Sequence, residues 1–360
     1  MNNKSLLVMA GGTGGHVFPG LAVADKLQQQ GWHVYWLGTA DRMEAQLVPE
    51  YGYPIDFIDI AGVRGNGLKR MLLAPFKIIK SIRQARQVLK QRNIKLVLGM
   101  GGFASGPGGI AAWSMGIPVV LHEQNAAMGL TNKILSHFAK KVLLGFASDI
   151  KAANAQLVGN PVREKLINLP AKKISDKAMP LKVLIVGGSL GAKALNELLP
   201  KVARHFSESQ ITIIHQTGKM HYQSVKQAYQ EYNSASDVRA FITDMDEVYS
   251  WADLIICRAG ALTVAEIAVV GLPAIFVPLP YAVDDHQTKN AQQLVDLQAA
   301  VLIPQKELND DLLSDYLRKF SENRELLKVM SNNCRKAAIT DATERVATIC
   351  NQLITLTKKD

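Results

Sequence analysis

The sequence predicts an α/β protein with two Rossmann-like, doubly wound parallel-sheet domains that face each other across a cleft. An apolar strand that runs into glycines and then a helix occurs once in each half, at residues 4–31 and 181–206. Apolar strands alternate with amphipathic helices along both halves, which is typical of βαβ units. The segment 160–182 is rich in lysine and proline and has no strand pattern, so it is the predicted linker.

The two halves also share a second sequence pattern. GGFASGPGGIAAWSMGIPVVLHE (101–123) corresponds loosely to RAGALTVAEIAVVGLPAIFVPLP (258–280). Each contains a glycine loop, a helix of small residues, Gly-Ile-Pro or Gly-Leu-Pro, and a buried strand. We therefore predict an N-terminal domain at 1–160, a C-terminal domain at 161–340, and a final helix at 341–360 that packs back toward the N-terminal domain.

Composition excludes several classes of protein. A chain of 360 residues with 48% hydrophobic residues is long enough for two full cores. The first residues lack a signal-peptide pattern, and the three cysteines show no CxxC spacing, which favours a reducing compartment and no disulfide framework. The most apolar stretch, 262–283, contains Glu266 and three prolines, so it predicts a helix followed by a buried strand rather than a membrane span.

The net charge of +10 is concentrated in one segment. No acidic residue lies between Asp59 and Glu123, whereas ten basic residues do. The segment contains an amphipathic pattern at Phe76, Ile79, Ile82, Ala85 and Leu89. A crossover helix with a solvated basic face explains this pattern but not the apolar residues 71–73 among the cations. We therefore favour contact with an anionic membrane over a purely structural role, through Lys69, Arg70, Leu72, Leu73, Phe76, Lys77 and Lys80. No nucleic-acid-binding module is recognisable, so no nucleic acid is expected as a partner.

Three glycine loops, which begin at residues 11, 99 and 187, follow predicted strands. Glycine lets backbone N–H groups approach a ligand, and a helix that starts behind the loop favours phosphate or diphosphate. Tight β-to-α turns also need glycine, which is the structural alternative. The first loop misses the dinucleotide fingerprint because Val17 stands at the third glycine position. No cluster has metal-ligand spacing, so we predict neither a metal nor another cofactor.

The motifs together resemble one family. GGTGGHVFPGLAVA, GMGGFASGPGG, LHEQNAAMGLTNK, VGNPVR, GGSLGA, RAGALTVAEIA, GLPAIFVP and DDHQTKNA occur in order over roughly residues 4–348. This series resembles the MurG family, the family 28 N-acetylglucosaminyltransferases that complete the lipid-linked precursor of bacterial peptidoglycan. Leu190 and Phe103 depart from the family's frequent glutamine and tyrosine.

The resemblance implies a GT-B fold and an inverting, metal-independent transfer. N-acetylglucosamine would move from UDP-N-acetylglucosamine to the 4-hydroxyl of the muramoyl sugar of lipid I, the undecaprenyl-pyrophosphoryl-MurNAc-pentapeptide. The second domain would hold the donor and the first domain the acceptor. The implied location is the cytoplasmic face of the bacterial inner membrane, with other cell-wall synthesis or division proteins as further candidate partners.

The resemblance also assigns roles to residues. His16 is the first candidate for the general base and Glu123 the second, because a histidine titrates near working pH; structural roles are the alternatives for both. Ser189 would bind the diphosphate, Arg163 would lie near the donor, Ile242 would meet uracil through its backbone, and Glu266 would accept from ribose hydroxyls. The remaining substrate-binding candidates are Thr13, Gly14, Gly15, Asn125, Ala261, Leu262, Thr263, Val264, Ala265 and Gln287.

Two other functions compete with the transferase. A sugar-nucleotide epimerase of the same two-domain fold would need no lipid acceptor and would leave the basic apolar segment unexplained. A non-enzymatic membrane- or nucleic-acid-binding protein could retain the fold as a scaffold. Selective binding of a UDP-sugar would argue against the non-enzymatic protein.

Overall fold

A computed structural model describes residues 4–60, 67–148, 153–188, 190–231, 236–282 and 285–356, with residues 67–74 and 356 described by their backbone alone. The chain divides into two compact units. The first comprises Met1–Arg163 and Ile339–Asp360, and the second comprises Glu164–Ala338. Each unit has one parallel sheet with helices, so the predicted α/β fold class is confirmed.

The sheet of the first unit has seven strands in the order β3-β2-β1-β4-β5-β6-β7, and all of its pairings are parallel. Chain order reverses between β1 and β4, which is where doubly wound sheets bind ligands beyond the strand ends. The strands are β1 (Ser5–Ala10), β2 (His33–Gly38), β3 (Ile55–Phe57), β4 (Leu96–Gly101), β5 (Val119–Glu123), β6 (Lys141–Leu144) and β7 (Ala155–Leu157).

The helices between these strands cover both faces of the sheet. They are α1 (Gly14–Gln29), α2 (Glu44–Glu50), α3 (Gly67–Gln91), α4 (Ser105–Ser114) and α5 (Leu130–Leu135). Because side chains alternate along a strand, Leu6 and Val8 enter one apolar cluster, whereas Leu7 and Met9 enter the cluster on the opposite face. A strand buried on both faces explains why the sequence of β1 is continuously apolar.

The second unit repeats this plan with six parallel strands in the order β10-β9-β8-β11-β12-β13. The strands are β8 (Leu181–Val186), β9 (Ile211–Gln216), β10 (Ser236–Arg239), β11 (Leu254–Cys257), β12 (Ala274–Phe276) and β13 (Ala300–Leu302). The helices are α6 (Glu164–Ile167), α7 (Lys193–Ala203), α8 (Tyr222–Glu231), α9 (Met245–Trp251), α10 (Ala261–Val270), α11 (His286–Asp296), α12 (Asp310–Glu322) and α13 (Arg324–Lys336).

The most apolar stretch of the sequence forms α10 and then the buried strand β12, as predicted. Gly271 ends the helix in the left-handed conformation (φ 75°), which a residue with a side chain adopts only at a cost. None of the helices in the described part of the chain is both long and apolar enough to cross a lipid bilayer.

The C-terminal helix α14 (Ala342–Leu356) packs against α1 within the first unit. Val346, Ala347 and Cys350 enter the same apolar cluster as Leu6. Asn351 accepts a hydrogen bond from the Trp32 indole at 3.0 Å. The first unit is therefore built from both ends of the chain.

Part of the predicted linker is attached to the second unit. Lys172 Nζ donates to the carbonyls of Tyr249 (2.9 Å) and Ser250 (2.8 Å), at the end of α9. The Asp253 carboxylate accepts from the Ser175 amide at 2.8 Å. The unit boundary consequently lies at residues 163–164, near the start of the lysine- and proline-rich segment.

Candidate active site

A buried carboxylate, that of Glu44, holds the glycine loop after β1 by a hydrogen bond. Glu44, at the start of α2, accepts from the Gly12 amide at 2.9 Å and from the Thr39 amide at 3.0 Å. Thr13 has extended backbone angles and precedes the first turn of α1. Because Gly14 and Gly15 have no side chains, the amides of this turn are accessible to an anion. No sequence motif had pointed to Glu44, whose role depends on contacts with two separate loops.

His16 lies in the first turn of α1, and its ring packs against Gly101 at the end of β4. A Cβ atom at Gly101 would lie 2.7 Å from the ring, and the φ of +106° also favours glycine there. His16 Nδ1 is 3.0 Å from Gln124 Oε1, in the loop after β5. The loops after β1, β4 and β5 thus meet at this half-exposed imidazole.

Glu123, the second base candidate, ends β5 and is buried. One carboxylate oxygen accepts from the amide and the side chain of Asn125, at 3.1 and 3.2 Å. The other accepts from the Gly129 amide at 3.1 Å and from Asn132 Nδ2 at 2.8 Å. Four donors therefore surround the carboxylate, and they fold the loop 124–129 around it.

Arg163 lies at the end of the first unit, beside α1. Its guanidinium is 5.7 Å from the centroid of the Phe18 ring, within the range of a cation–π contact. The Phe18 ring in turn packs on Gly14, where a Cβ atom would approach it to 3.0 Å. Arg163 thus adds positive charge next to the first turn of α1.

In the second unit, the glycine loop after β8 is shaped by close backbone contacts. Gly188 and Gly191 have positive φ angles, and a side chain at Gly191 would collide with the Thr217 carbonyl. Ser189, the predicted diphosphate ligand, lies outside the described residues. At Gly191, the backbone lies so close to Thr217 that no side chain fits.

Gln216 connects this loop to the predicted uracil position. Its Nε2 donates to the Gly188 carbonyl at 3.0 Å, and its Oε1 accepts from the Ile242 amide at 3.3 Å. Gln216 is buried at the end of β9, and no sequence pattern indicates this role because the partners lie 26 to 28 residues away.

The helix α10 presents its N-terminus without a capping side chain, because the N-cap residue is Gly260. The first turn closes with the Val264 amide donating to the Gly260 carbonyl at 2.9 Å. The amides of Ala261, Leu262 and Thr263 precede this bond, and such N-terminal amides favour an anion. One turn further on, the buried Glu266 accepts from the Tyr249 hydroxyl at 3.1 Å, which orients the carboxylate.

Gln287 lies in the first turn of α11. Its Oε1 accepts from the Leu279 amide at 2.9 Å, so the orientation of the side-chain amide is set by the backbone after β12. Arg258, after β11, donates to the carbonyls of Val277 (2.9 Å) and Pro278 (3.0 Å), and burial lowers its pKa. These contacts join the ends of β11 and β12 to the start of α11.

The basic segment divides into two parts along α3. Ile82, Ala85 and Leu89 pack in the first unit's core, whereas Phe76 and Ile79 are 72% and 49% exposed. Lys77 and Lys80 are exposed, and Lys80 Nζ lies 2.6 Å from Asp59. The side chains of Lys69, Arg70, Leu72 and Leu73 lie outside the described residues.

The neighbouring helices add further exposed apolar side chains that no sequence pattern had indicated. Trp113 of α4 and Phe138, just after α5, are in contact, with ring centroids 4.6 Å apart and the ring planes tilted by 41°. Leu130 and Ile134 are exposed on α5. We call Phe76, Ile79, Trp113, Leu130, Ile134 and Phe138 the apolar patch. No group of three or more His, Cys, Asp or Glu side chains among the described residues is arranged to hold a metal ion.

Comparison with known proteins covers both units. The model of the glycosyltransferase family 28 N-terminal domain matches residues 6–144, and that of the family 28 C-terminal domain matches residues 182–346. A Psychromonas ingrahamii protein is 69% identical over 353 residues, which cover 98% of this chain and 99% of that protein. Its name is UDP-N-acetylglucosamine–N-acetylmuramyl-(pentapeptide) pyrophosphoryl-undecaprenol N-acetylglucosamine transferase.

Solved structures agree at the level of the fold. The crystal structure of Acinetobacter baumannii MurG is 42% identical, with a TM-score of 0.81, and the match covers 97% of this chain and 99% of that one. A UDP-GlcNAc 2-epimerase from Neisseria meningitidis, bound to UDP-GlcNAc, has a TM-score of 0.65 at 14% identity, covering 96% of this chain and 98% of that one. Similarity at this low identity shows a shared fold alone.

Proposed function

The chain belongs to glycosyltransferase family 28, and on that premise we propose that it transfers N-acetylglucosamine from UDP-N-acetylglucosamine to lipid I. The acceptor is the 4-hydroxyl of the muramoyl sugar, and the product is lipid II, the precursor used in peptidoglycan synthesis. The observation that carries the proposal is the 69% identity, over 98% of the chain, to a protein named for this transfer.

In the proposed reaction, His16 takes the proton of the acceptor hydroxyl. The hydroxyl oxygen forms a bond to C1 of N-acetylglucosamine while the bond from C1 to the UDP oxygen breaks. An α-linked donor consequently gives a β-linked product, and UDP leaves with the electron pair. His16 is the preferred base because four donors already occupy the carboxylate of Glu123, which therefore holds the loop 124–129.

The second unit supplies the proposed donor site. The amides at the N-terminus of α10, together with the glycine loop that includes Ser189, stabilise the negative charge that develops on the leaving diphosphate. Glu266 accepts hydrogen bonds from the ribose hydroxyls, and the backbone of Ile242 meets uracil. Val264 and Ala265 complete the turn that leads to Glu266, and Gln287 contacts the transferred sugar.

In the first unit, we assign the loop of Thr13, Gly14 and Gly15 to the acceptor diphosphate. Its support is the uncapped first turn of α1. The resemblance assigned Arg163 to the donor, but its cation lies beside this turn, so we assign it to the acceptor diphosphate instead. Asn125, which Glu123 positions, contacts the transferred sugar or its acceptor. These assignments place the acceptor next to His16.

We also propose that the apolar patch and the nearby basic residues contact an anionic membrane peripherally, at the cytoplasmic face of the inner membrane. The support is that α3, α4 and α5 carry exposed apolar side chains, and that α3 and α4 lie in the segment that has no acidic residue. Each basic residue near anionic lipid contributes about 1 kcal/mol of binding free energy. Such contact would bring the enzyme to an acceptor that is itself anchored in lipid.

The transfer assay tests the proposed function. Purified protein is incubated with labelled UDP-N-acetylglucosamine, a lipid I analogue and EDTA, and label in the lipid fraction is measured. The expected result is transfer that EDTA leaves unchanged. UDP-sugar binding without transfer would contradict the proposal, and epimerised UDP-sugar in a reaction without acceptor would favour the epimerase.

A further inference from the structure

A chain of buried polar groups leads from His16 into the first unit. His16 Nδ1 lies 3.0 Å from Gln124 Oε1, and Gln124 Nε2 lies 3.2 Å from His122 Nδ1. His122 Nε2 lies 2.9 Å from the carbonyl oxygen of Gly159. Gln124 and His122 are almost fully buried, and the proposed reaction gives neither of them a role.

The hydrogen bond to Gly159, at the end of this series, determines which ring nitrogen of His122 carries the proton. A carbonyl oxygen only accepts, so His122 Nε2 must donate to Gly159. Burial lowers the pKa of His122 to about 4, so at neutral pH it carries a single ring proton, on Nε2. His122 Nδ1 is therefore an acceptor.

The protonation of His122 in turn determines how the side-chain amide of Gln124 is oriented. An acceptor at His122 Nδ1 requires the Nε2 end of Gln124 to face it, and this places Gln124 Oε1 toward His16. An amide oxygen also only accepts, so His16 Nδ1 must donate. The backbone of Gln124 is also held, because Asn160 Nδ2 donates to its carbonyl oxygen at 3.0 Å.

We propose that Gln124 and His122 are positioning residues that hold neutral His16 in the tautomer with its proton on Nδ1, so that Nε2 keeps its lone pair. The inference rests on the proposed function, since that lone pair is the group that accepts the proton of the acceptor hydroxyl. The series of bonds runs in one direction, from His16 Nδ1–H to Gln124 Oε1, and from Gln124 Nε2–H to His122 Nδ1. It ends at the bond from His122 Nε2–H to the carbonyl of Gly159.

The tautomers can be read directly from the nitrogen chemical shifts of the rings. Protein labelled with ¹⁵N in its eight histidines is measured at a pH where His16 is neutral. The His16→Gln and His122→Phe variants identify the two rings by the loss of their signals. We expect protonated Nδ1 and unprotonated Nε2 in His16, and the reverse in His122. Protonated Nε2 in His16 of the wild-type protein would overturn the proposal without any variant.

Two substitutions at Gln124 test the cause. Gln124→Met keeps the length of the side chain but removes its acceptor, so His16 should lose its single tautomer. We expect kcat to fall about tenfold or more, with an unchanged Kd for UDP-N-acetylglucosamine. Gln124→Glu keeps an acceptor toward His16 and should retain the tautomer. Gln29→Met, on the exposed side of α1, is the matched control and should leave both the tautomer and kcat unchanged.

The outcomes separate this inference from the proposed function. If His16 and His122 have the expected tautomers but no sugar is transferred, the proposed function fails and the hydrogen-bond chain stands. If transfer proceeds while Gln124→Met leaves the His16 tautomer unchanged, the positioning role of Gln124 is wrong and the transferase function stands.

Discussion

At the scale of single residues, His16 and Glu123 differ in what their side chains can still accept. In the sequence, both follow predicted strands of one sheet. As candidates for the general base, they could be ranked only by the ordinary pKa of a histidine and of a glutamate. In the structure, four donors surround the Glu123 carboxylate, three from the loop 124–129 and one from Asn132 of α5. His16 is half-exposed, and one of its ring nitrogens contacts Gln124. This difference arises from contacts that no local motif encodes.

Replacing the proposed base should lower the rate of the chemical step rather than the affinity for the donor. We expect His16→Ala to lower kcat by roughly 10²- to 10⁴-fold, because general base catalysis contributes this much. The Kd for UDP-N-acetylglucosamine, measured by calorimetry, should not change, since His16 lies in the first unit and the proposed donor site in the second. His33→Ala, at the exposed start of β2, is the control. Wild-type turnover in His16→Ala would remove this residue from the mechanism.

Glu266 tests the donor site in the same way. Its carboxylate is buried and held by the Tyr249 hydroxyl, so it is positioned before ligand arrives. We expect Glu266→Gln to weaken UDP-N-acetylglucosamine binding by roughly 10- to 100-fold, since hydrogen bonds to a charged group contribute about 1.5–3 kcal/mol. Glu322→Gln, on the exposed end of α12, should bind as the wild type does. An unchanged Kd in Glu266→Gln would show that the ribose assignment is incorrect.

At the scale of elements, the sequence predicted the strands and glycine loops but not how far each helix is covered. The strands β1 and β8 are recognisable because burial on both faces leaves runs of consecutive apolar residues, at 6–10 and 183–186. The helix α3 has one uninterrupted apolar stripe, yet Ile82 is packed while Phe76 is exposed. Periodicity identifies the stripe, and only tertiary contacts show which part of it is covered by neighbouring elements such as α4.

Several supporting residues were invisible in the sequence for the same reason. Glu44 reaches Gly12 across 32 residues, and Gln124 reaches His16 across 108. Gln216 ties Gly188 to Ile242. Glu44 and Gln216 lie outside every motif, and Gln124 lies in the motif LHEQNAAMGLTNK, which does not show its partner. Each role exists only once the sheet brings distant loops together.

The membrane proposal is tested on α3. We expect the Lys69→Gln, Arg70→Gln, Lys77→Gln and Lys80→Gln quadruple variant to bind phosphatidylglycerol vesicles more weakly in a sedimentation assay. Lys80 should contribute least, because Asp59 already partly neutralises it. A quadruple control with Lys226, Lys306, Lys319 and Lys328 changed to Gln removes the same charge from the second unit. Equal binding by the two variants would mean that net charge, rather than this surface, attracts the protein to the vesicles.

At the scale of the whole molecule, each unit contains one histidine that is buried and neutral. Burial lowers the pKa of His122 to about 4 and that of His215 to about 3. His215 is satisfied by Tyr229 and Asn196, at 3.0 and 3.1 Å, so its neutral form fits the site. The free energy of unfolding of both units should therefore change in the same direction when the pH is lowered.

The sign follows from proton binding. Below about pH 6.5 these histidines bind a proton in the unfolded chain but not in the folded chain. The free energy of unfolding therefore decreases as the pH is lowered. By pH 4 the loss from His122 alone is on the order of 3 kcal/mol. Urea unfolding between pH 7 and pH 4.5 measures the slope, which His215→Gln should reduce and the exposed-site control His33→Gln should not. A pH-independent stability in this range would contradict the buried neutral histidines.

The most direct test of the account is the structure of the lipid product. Mass spectrometry should show lipid I extended by one N-acetylhexosamine, and NMR should show a β linkage to the 4-hydroxyl of the muramoyl sugar. This result is expected from a single displacement with His16 as the base. An α linkage, another acceptor hydroxyl, or an unchanged acceptor after prolonged incubation with UDP-N-acetylglucosamine would contradict it.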